Sequence, residues 1–403
     1  MKFLRFGYVT GPLIGVLWVF VAAITVAVVM SFATGDAFRP SFLWSVLFGA
    51  PIGLALLGRP AVRPAMAAGV VLFVATLFLG IGPVLTDGVP LAGKLGAGVL
   101  MGIAVGWPMA SFVGALPMGA LNRHLFEDSV IKFLTGFGYI FFTAIVAIPF
   151  FVMVMTSLKS QQQLVANPLD FSLDLDKGWD LFRSYQELFA DFNFGTYLLN
   201  SALISVLTVA ITLAFSVPGA YAVARLRFKG QAVFSRSILL IYMVPVIVLA
   251  LPIYIAFSVT GLRNTIIGIL LIYPVTTIPV ALYMLQGYFR GLPHEVEEAG
   301  LMDGLNRLQV IWKITLPLAL PAMASVSLYV FMIAWNEFLL AFMLLDDPSK
   351  FTLTRGIASL NSSEIPRQHL MAGAVIATVP IMALFLGLER FMTKGLTAGS
   401  VKG

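Results

Sequence analysis

Long apolar runs alternate with short polar connections along the whole chain. The runs fall near residues 8–33, 41–58, 64–86, 95–119, 132–157, 196–224, 233–258, 265–289, 318–345 and 369–391. A helix needs about 20 apolar residues to cross the hydrocarbon of a bilayer, and each run reaches or approaches that length. In lipid every backbone polar group must be satisfied within its own segment, which selects helices. The pattern therefore predicts an all-α polytopic membrane protein of ten spans, the second being the shortest.

Composition strengthens this reading. Hydrophobic residues make up 59% of the chain and charged residues 11%, against about 25% charged in soluble domains. There is no cysteine, which excludes disulfides and thiolate metal sites. His124, His294 and His369 are far apart in sequence, so neither a metal site nor a catalytic residue is assigned. The net charge of +6 sits largely on one side of the expected membrane. With a cytoplasmic amino terminus, that side holds Arg225, Arg227, Lys229 and Arg236 in one connection and Arg290, Arg307 and Lys313 in another. The positive-inside rule then places both termini in the cytoplasm. The basic excess marks a membrane face beside lipid and predicts no nucleic-acid partner. The run from Tyr8 to Ala33 is longer than a signal peptide's apolar region, so it is read as a retained span.

The chain divides by motif content. Residues 1–128 carry four spans and no sharp motif, and their role is open. Within them Gly98, Gly102 and Gly106 recur on one helix stripe, which predicts close packing against another helix of this chain. Gly88 to Leu95 approaches a phosphate-binding loop. It lacks the Ser or Thr after Lys94 and the strand before the loop, so no nucleotide site is assigned. Residues 129–403 carry six spans and the informative patterns.

The most informative is the polar connection at 291–317. Pro293 opens a short helix, because its missing N–H would be unpaired there anyway. Glu295, Glu297 and Glu298 complement the positive end of the helix dipole. Ala299 and Gly300 are small enough for a partner groove to approach. Asp303 and Gly304 end the helix, Gly304 in a left-handed conformation. Leu305 to Ile314 predicts a second short helix, and Pro317 starts the next span. A helix of about three turns is marginal alone and needs a surface to lie on.

Glu298-Ala299-Gly300, then Gly304, then Ile314-x-Leu316-Pro317 resembles the cytoplasmic coupling loop, or EAA loop, of permease subunits in binding-protein-dependent ABC importers. The likeness extends over about the last 270 residues. It includes Phe194-Gly-Thr-Tyr197-Leu-Leu-Asn200-Ser201, Gly261-Leu-Arg-Asn264-Thr265 and Ala334-Trp335-Asn336-Glu337-Phe338. The chain is thus similar to the carbohydrate-uptake branch, maltose-type, and to the second of its paired permeases. The resemblance implies a six-span permease core preceded by four extra spans, in a bacterial or archaeal cytoplasmic membrane. It implies transport of a sugar or polyol by alternating access, with no reaction or cofactor on this chain. ATP and magnesium belong to two partner ATPase subunits, and the other partners are a second permease and an extracytoplasmic solute-binding protein. Two departures stand out: Gly300 replaces a common second Ala, and residues 1–128 precede the usual start.

The resemblance assigns ATPase coupling to Glu297, Glu298, Ala299, Gly300, Asp303, Gly304, Ile314, Leu316 and Pro317. For the solute path, Glu337 is the sharpest residue, since a carboxylate at the bilayer centre costs about 2.5–3.5 kcal/mol. It must face protein, water or solute. Trp335 and Asn336 beside it suit sugar rings and hydroxyls, while Asn200 and Tyr197 either line the path or position their span. The acidic segment from Lys159 to Phe194 is read as a solvated loop or a contact for the binding protein. The glycine-rich tail from Lys394 to Gly403 is read as a contact for the ATPase. The competing readings are an ion-coupled secondary transporter, which favours repeats and several midplane ionisable groups, and an ABC permease for a non-carbohydrate solute.

Overall fold

Glycines set the architecture of the amino-terminal third. The structure, a computed structural model, describes residues 2–166, 175–362 and 365–397. The chain packs as two units, Met1–Leu181 and Phe182–Gly403. The tail beyond 397 and the acidic residues Asp170 and Asp174 lie outside the described residues.

The first unit contains α1 (Gly7–Thr34), α2 (Phe42–Ala55), α3 (Val62–Phe78), α4 (Leu91–Val113), α5 (Arg123–Ser157) and α6 (Gln161–Ala166). A β-carbon added to Gly15 would lie 2.1 Å from the Gly49 carbonyl oxygen. One on Gly53 would lie 2.1 Å from that of Gly11. Backbone thus meets backbone between α1 and α2. The stripe on α4 works the same way against α3: a β-carbon on Gly102 would come within 2.3 Å of the Val70 nitrogen, and one on Gly106 within 2.6 Å of the Ala65 oxygen. The packing role read from Gly98, Gly102 and Gly106 is therefore what the fold uses. Trp18 joins these hairpins, donating from Nε1 to the Ala104 carbonyl at 2.8 Å and meeting Phe112 edge-on at 4.8 Å. A two-residue antiparallel pair, β1 (Arg39–Pro40) with β2 (Val84–Leu85), ties the connections at one end.

α5 belongs to this unit by packing. Phe133 lies 6.1 Å from Trp18, and the Ser129 hydroxyl donates to the Phe112 carbonyl at 2.7 Å. Packing therefore divides the chain at 181, whereas the boundary read at 128 marks where motifs begin.

The second unit contains α7 (Arg183–Asp191), α8 (Phe194–Arg225), α9 (Gln231–Tyr242), α10 (Val246–Val259), α11 (Ile266–Gly291), α12 (His294–Met302), α13 (Arg307–Val310), α14 (Leu316–Asn336), α15 (Leu339–Leu344), α16 (Leu353–Ser359) and α17 (Arg367–Thr397). α8 presents Ser201, Ser205, Thr208, Thr212 and Ser216 on one buried stripe. Small hydroxyl residues let membrane helices approach closely, and Thr212 hydrogen-bonds Thr277 of α11 at 2.7 Å.

Seven helices among the described residues are long and apolar enough to cross a membrane, and α2, α3 and α10 are shorter apolar helices. These match the ten predicted runs, with two corrections. The run 233–258 breaks between α9 and α10, because Pro245 lacks an N–H and disfavours helix at Val244. The run 318–345 breaks at Glu337, whose backbone is extended (φ −65°, ψ 124°).

Candidate functional site

The polar connection folds as its residues dictate, with one correction. α12 starts after Pro293, with Glu295 and Glu297 in its first turn. Its end is a Schellman motif: the Gly304 N–H donates to the Leu301 carbonyl at 3.1 Å and the Leu305 N–H to the Gly300 carbonyl at 3.1 Å. That geometry needs a left-handed residue, and Gly304 has φ +83°. Asp303 is the exposed C-cap residue. α13 then begins with a reciprocal cap between Asn306 and Gln309. The expected second short helix does not end before the next span. It runs through a π turn, Ile311–Thr315, straight into α14. Pro317 gives the reason: its ring and missing N–H disturb the bond to residue 313, and one wide turn with the Leu316 N–H bonded to Ile311 absorbs the disturbance.

α12 has two unlike faces. Glu297 is 6% exposed. One carboxyl oxygen accepts from the Tyr221 hydroxyl at 3.2 Å and the other from the Thr315 hydroxyl at 3.2 Å. Arg225, buried at the end of α8, lies 3.6 Å away, and Arg307 3.7 Å. Arg225 also donates to Nδ1 of His294 at 2.7 Å and to the Leu292 carbonyl. Gly300 is buried on the same face, where a β-carbon would come 2.5 Å from Ile314 and 3.3 Å from Val310. Its small size thus serves packing within this chain. The other face leaves Glu298, Ala299 and Met302 exposed. Leu308 and Trp312 of the following helix are exposed too. Leu316 is half-buried and Pro317 exposed.

The residues of the expected solute path occupy a second region of the same unit. Glu337 stands in the break between α14 and α15. Its carboxyl oxygens accept from the Leu340 N–H at 2.8 Å, the Ala341 N–H at 3.1 Å and the Tyr273 hydroxyl at 2.8 Å. It thereby caps α15, where a carboxylate complements the helix dipole. Trp335 is buried, stacks on Phe331 and donates to the Ala377 carbonyl at 3.0 Å. Asn336 is exposed. Asn200 donates to the carbonyls of Ser349 and Phe351 at 3.0 and 3.1 Å. Tyr197 is buried against Gly356, where a β-carbon would meet its ring at 2.2 Å. Asn200 and Tyr197 thus anchor the segment after α15. Asn264 holds the same segment from α11's side, accepting from the N–H groups of Asp346 and Asp347.

Near the start of α17, Nε2 of buried His369 lies 2.7 Å from Glu187 of α7. The hydrogen bond from Arg183, then that from His369, holds the Glu187 carboxyl below the ordinary carboxylate range. Glu187 is therefore tied into the fold rather than part of a purely solvated acidic loop.

The sequence reading missed Tyr221, Arg225, Arg307 and Thr315 as partners of Glu297, and His294 as a partner of Arg225. A helical-phase argument was available for half of this: from Pro293, Glu297 and Gly300 share a face. Nothing in the spacing locates Arg225 opposite them.

Comparison with known proteins matches residues 216–397 to the family model described as "Binding-protein-dependent transport system inner membrane component". An inner membrane ABC transporter permease protein of Escherichia coli, YcjP, is 38% identical over 66% of this chain and 95% of its own length. The trehalose/maltose transport system permease protein MalG of Thermococcus litoralis is 32% identical over 69% of this chain and 99% of its own. A crystal structure of a bacterial ABC transporter involved in the import of the acidic polysaccharide alginate contains a chain with the same fold. Its TM-score is 0.57 at 24% identity, covering 67% of this chain and 98% of that one.

Proposed function

This chain belongs to the family of binding-protein-dependent transport system inner membrane components, and from that premise we propose that it carries a sugar through the membrane by alternating access, driven by ATPase subunits docked on α12. It is the permease subunit of an ABC importer and a multi-pass inner membrane protein, not an enzyme. The named solutes of its relatives, trehalose and maltose among them, support a sugar as cargo. The importer contains an ATPase and a binding protein. We assign it two ATPase copies, a second permease and cytoplasmic termini, the last from the basic residues around Arg225 to Arg236 and Arg290 to Lys313.

The observation that carries the docking reading is the division of α12. One face is fastened to the chain through Glu297 and Gly300, while Glu298, Ala299, Met302 and the nearby Trp312 stay exposed. A short helix so seated has a stable shape and a free surface with an acid and large apolar side chains. ATP binds and is hydrolysed, with magnesium, on the ATPase. It moves the permease only if one conformation binds the closed ATPase better. For the solute path, the break at Glu337 supports the assignment. Non-helical backbone at membrane depth is tolerated where it is buried in protein or lines a watery cavity, and Asn336 is the exposed amide beside it. Glu337, Trp335, Asn200 and Tyr197 then shape that path through the contacts above.

The test is co-purification. The complete importer with Glu298→Ala loses ATPase from the membrane complex while the chain still inserts. Full retention of ATPase together with normal uptake removes α12 as the docking element.

A further inference from the structure

α8 is fastened at both ends by polar contacts, buried at the Glu297 end and partly exposed at the Asn200 end. At one end Tyr221 donates to Glu297 and Arg225 sits beside the same carboxyl group, both arginine and acid being almost wholly buried. Arg225 also grips the chain just before α12 at Leu292 and His294. At the other end Asn200 holds the Ser349 and Phe351 carbonyls, and the Ser201 hydroxyl accepts from the Leu353 N–H at 2.7 Å. Between the clasps the helix runs roughly 38 Å at 1.5 Å per residue. Pro218 interrupts its internal bonding near one clasp. There α8 is braced on α11 by Thr212 to Thr277 at 2.7 Å and by Ser216 to the Ile278 carbonyl at 3.4 Å.

We propose that α8 is the rod that joins α12 to the segment Ser349–Leu353, with Glu297 as a positioning residue that makes α12 and α8 move as one body. This rests on the docking of an ATPase at α12. Breaking a buried charge pair by removing one partner leaves an uncompensated charge, so the pair holds against force better than exposed contacts do. Thr315, where the π turn enters α14, donates to the same carboxyl group, so α14 shares the clasp, and α8 is the partner of Glu297 that reaches the segment Ser349–Leu353 through Asn200 and Ser201. Motion received at Glu298 therefore passes through Glu297 and Arg225 into α8, and emerges on the opposite side of the membrane at the strap held by Asn200 and Ser201.

The experiment uses the complete importer, with ATPase co-purification and ATPase activity stimulated by solute-loaded binding protein as separate readouts. Glu297→Gln retains the ATPase in the complex but lowers stimulated turnover roughly tenfold, within the range by which such networks change coupling. Tyr221→Phe, which removes one hydrogen bond without stranding a charge, lowers it by about two- to threefold. In the cysteine-free chain, spin labels at Glu295→Cys and Leu199→Cys keep one distance with and without ATP, and lose it when Glu297→Gln is added. Full stimulation in both Glu297→Gln and Tyr221→Phe overturns the proposal, as does a label distance that changes with ATP in an otherwise coupled complex. Loss of ATPase from Glu297→Gln makes Glu297 a docking residue and equally overturns it. Failure of the unsubstituted chain to hold any ATPase refutes the docking reading instead.

Discussion

The two units solve the same problem, holding helices together in lipid, with different emphasis. In the first, backbone rests on backbone through Gly11, Gly15, Gly49, Gly53 and the α4 stripe. In the second, helices are joined by buried or half-buried side-chain hydrogen bonds: Glu297 with Tyr221, Glu337 with Tyr273, Thr212 with Thr277. Backbone contact at glycines needs no side-chain partner, because small residues let helices approach closely, whereas the hydrogen-bonded pairs are directional. The family match, from residue 216, lies wholly in the second unit.

The contrast breaks most sharply at the glycines. Gly15→Leu drives a side chain into the Gly49 carbonyl and destabilises the first unit by about 3 kcal/mol or more, as severe overpacking does. The loss is read as a lower melting temperature of the detergent-purified chain, and an unchanged value refutes the zipper. Next comes Glu337→Gln, which weakens the α15 cap and the Tyr273 contact together. A loss of about 2 kcal/mol is expected, with faster amide exchange at Leu340 and Ala341. If those amides keep their protection, the carboxyl group is not what holds the break. Gly304→Ala costs about 1–2 kcal/mol, the penalty for a left-handed alanine. Uptake falls modestly and amide exchange over 293–305 rises, whereas equal exchange indicates that the Schellman end is dispensable.

The smallest effect concerns pH. Glu187 is held below the ordinary carboxylate range by Arg183 and then His369. Its stabilising contact is complete above the unfolded value near 4.5. It is lost as pH falls through the lower folded value. The protection of the α7 amides, taken relative to their intrinsic exchange rate at each pH, therefore holds through pH 4.5 and falls only below it. In His369→Gln the fall moves to higher pH. An identical profile in the variant shows that His369 does not share the charge.

Much of this was legible in the chain. Apolar run length gave the helices, because lipid leaves few alternatives, and Gly304 and Pro293 announced the ends of α12. The Gly98, Gly102 and Gly106 stripe announced its packing. The breaks were partly hidden: Pro245 signals one, but Glu337 signals its break only once its carboxyl group is seen capping α15. The partners of Glu297 were hidden entirely, since Arg225 comes 72 positions earlier and pairing at that separation has no period. Asn200 and Tyr197 illustrate the same limit: their residue types suit a sugar, yet their nearest partners are this chain's own carbonyls and glycine.

The π turn at Ile311–Thr315 carries one more consequence. An α-helix advances about 100° per residue, so one extra residue in regular winding would turn the exposed Leu308 by nearly a third of a revolution about the axis of α14. The wide turn takes up that residue in a single bond from the Leu316 N–H to Ile311 and so keeps the phase of Leu308 close to that of an unbroken helix. Removing one residue there restores regular winding at little cost to that phase, whereas a second insertion, with no further wide turn to absorb it, is the harsher lesion.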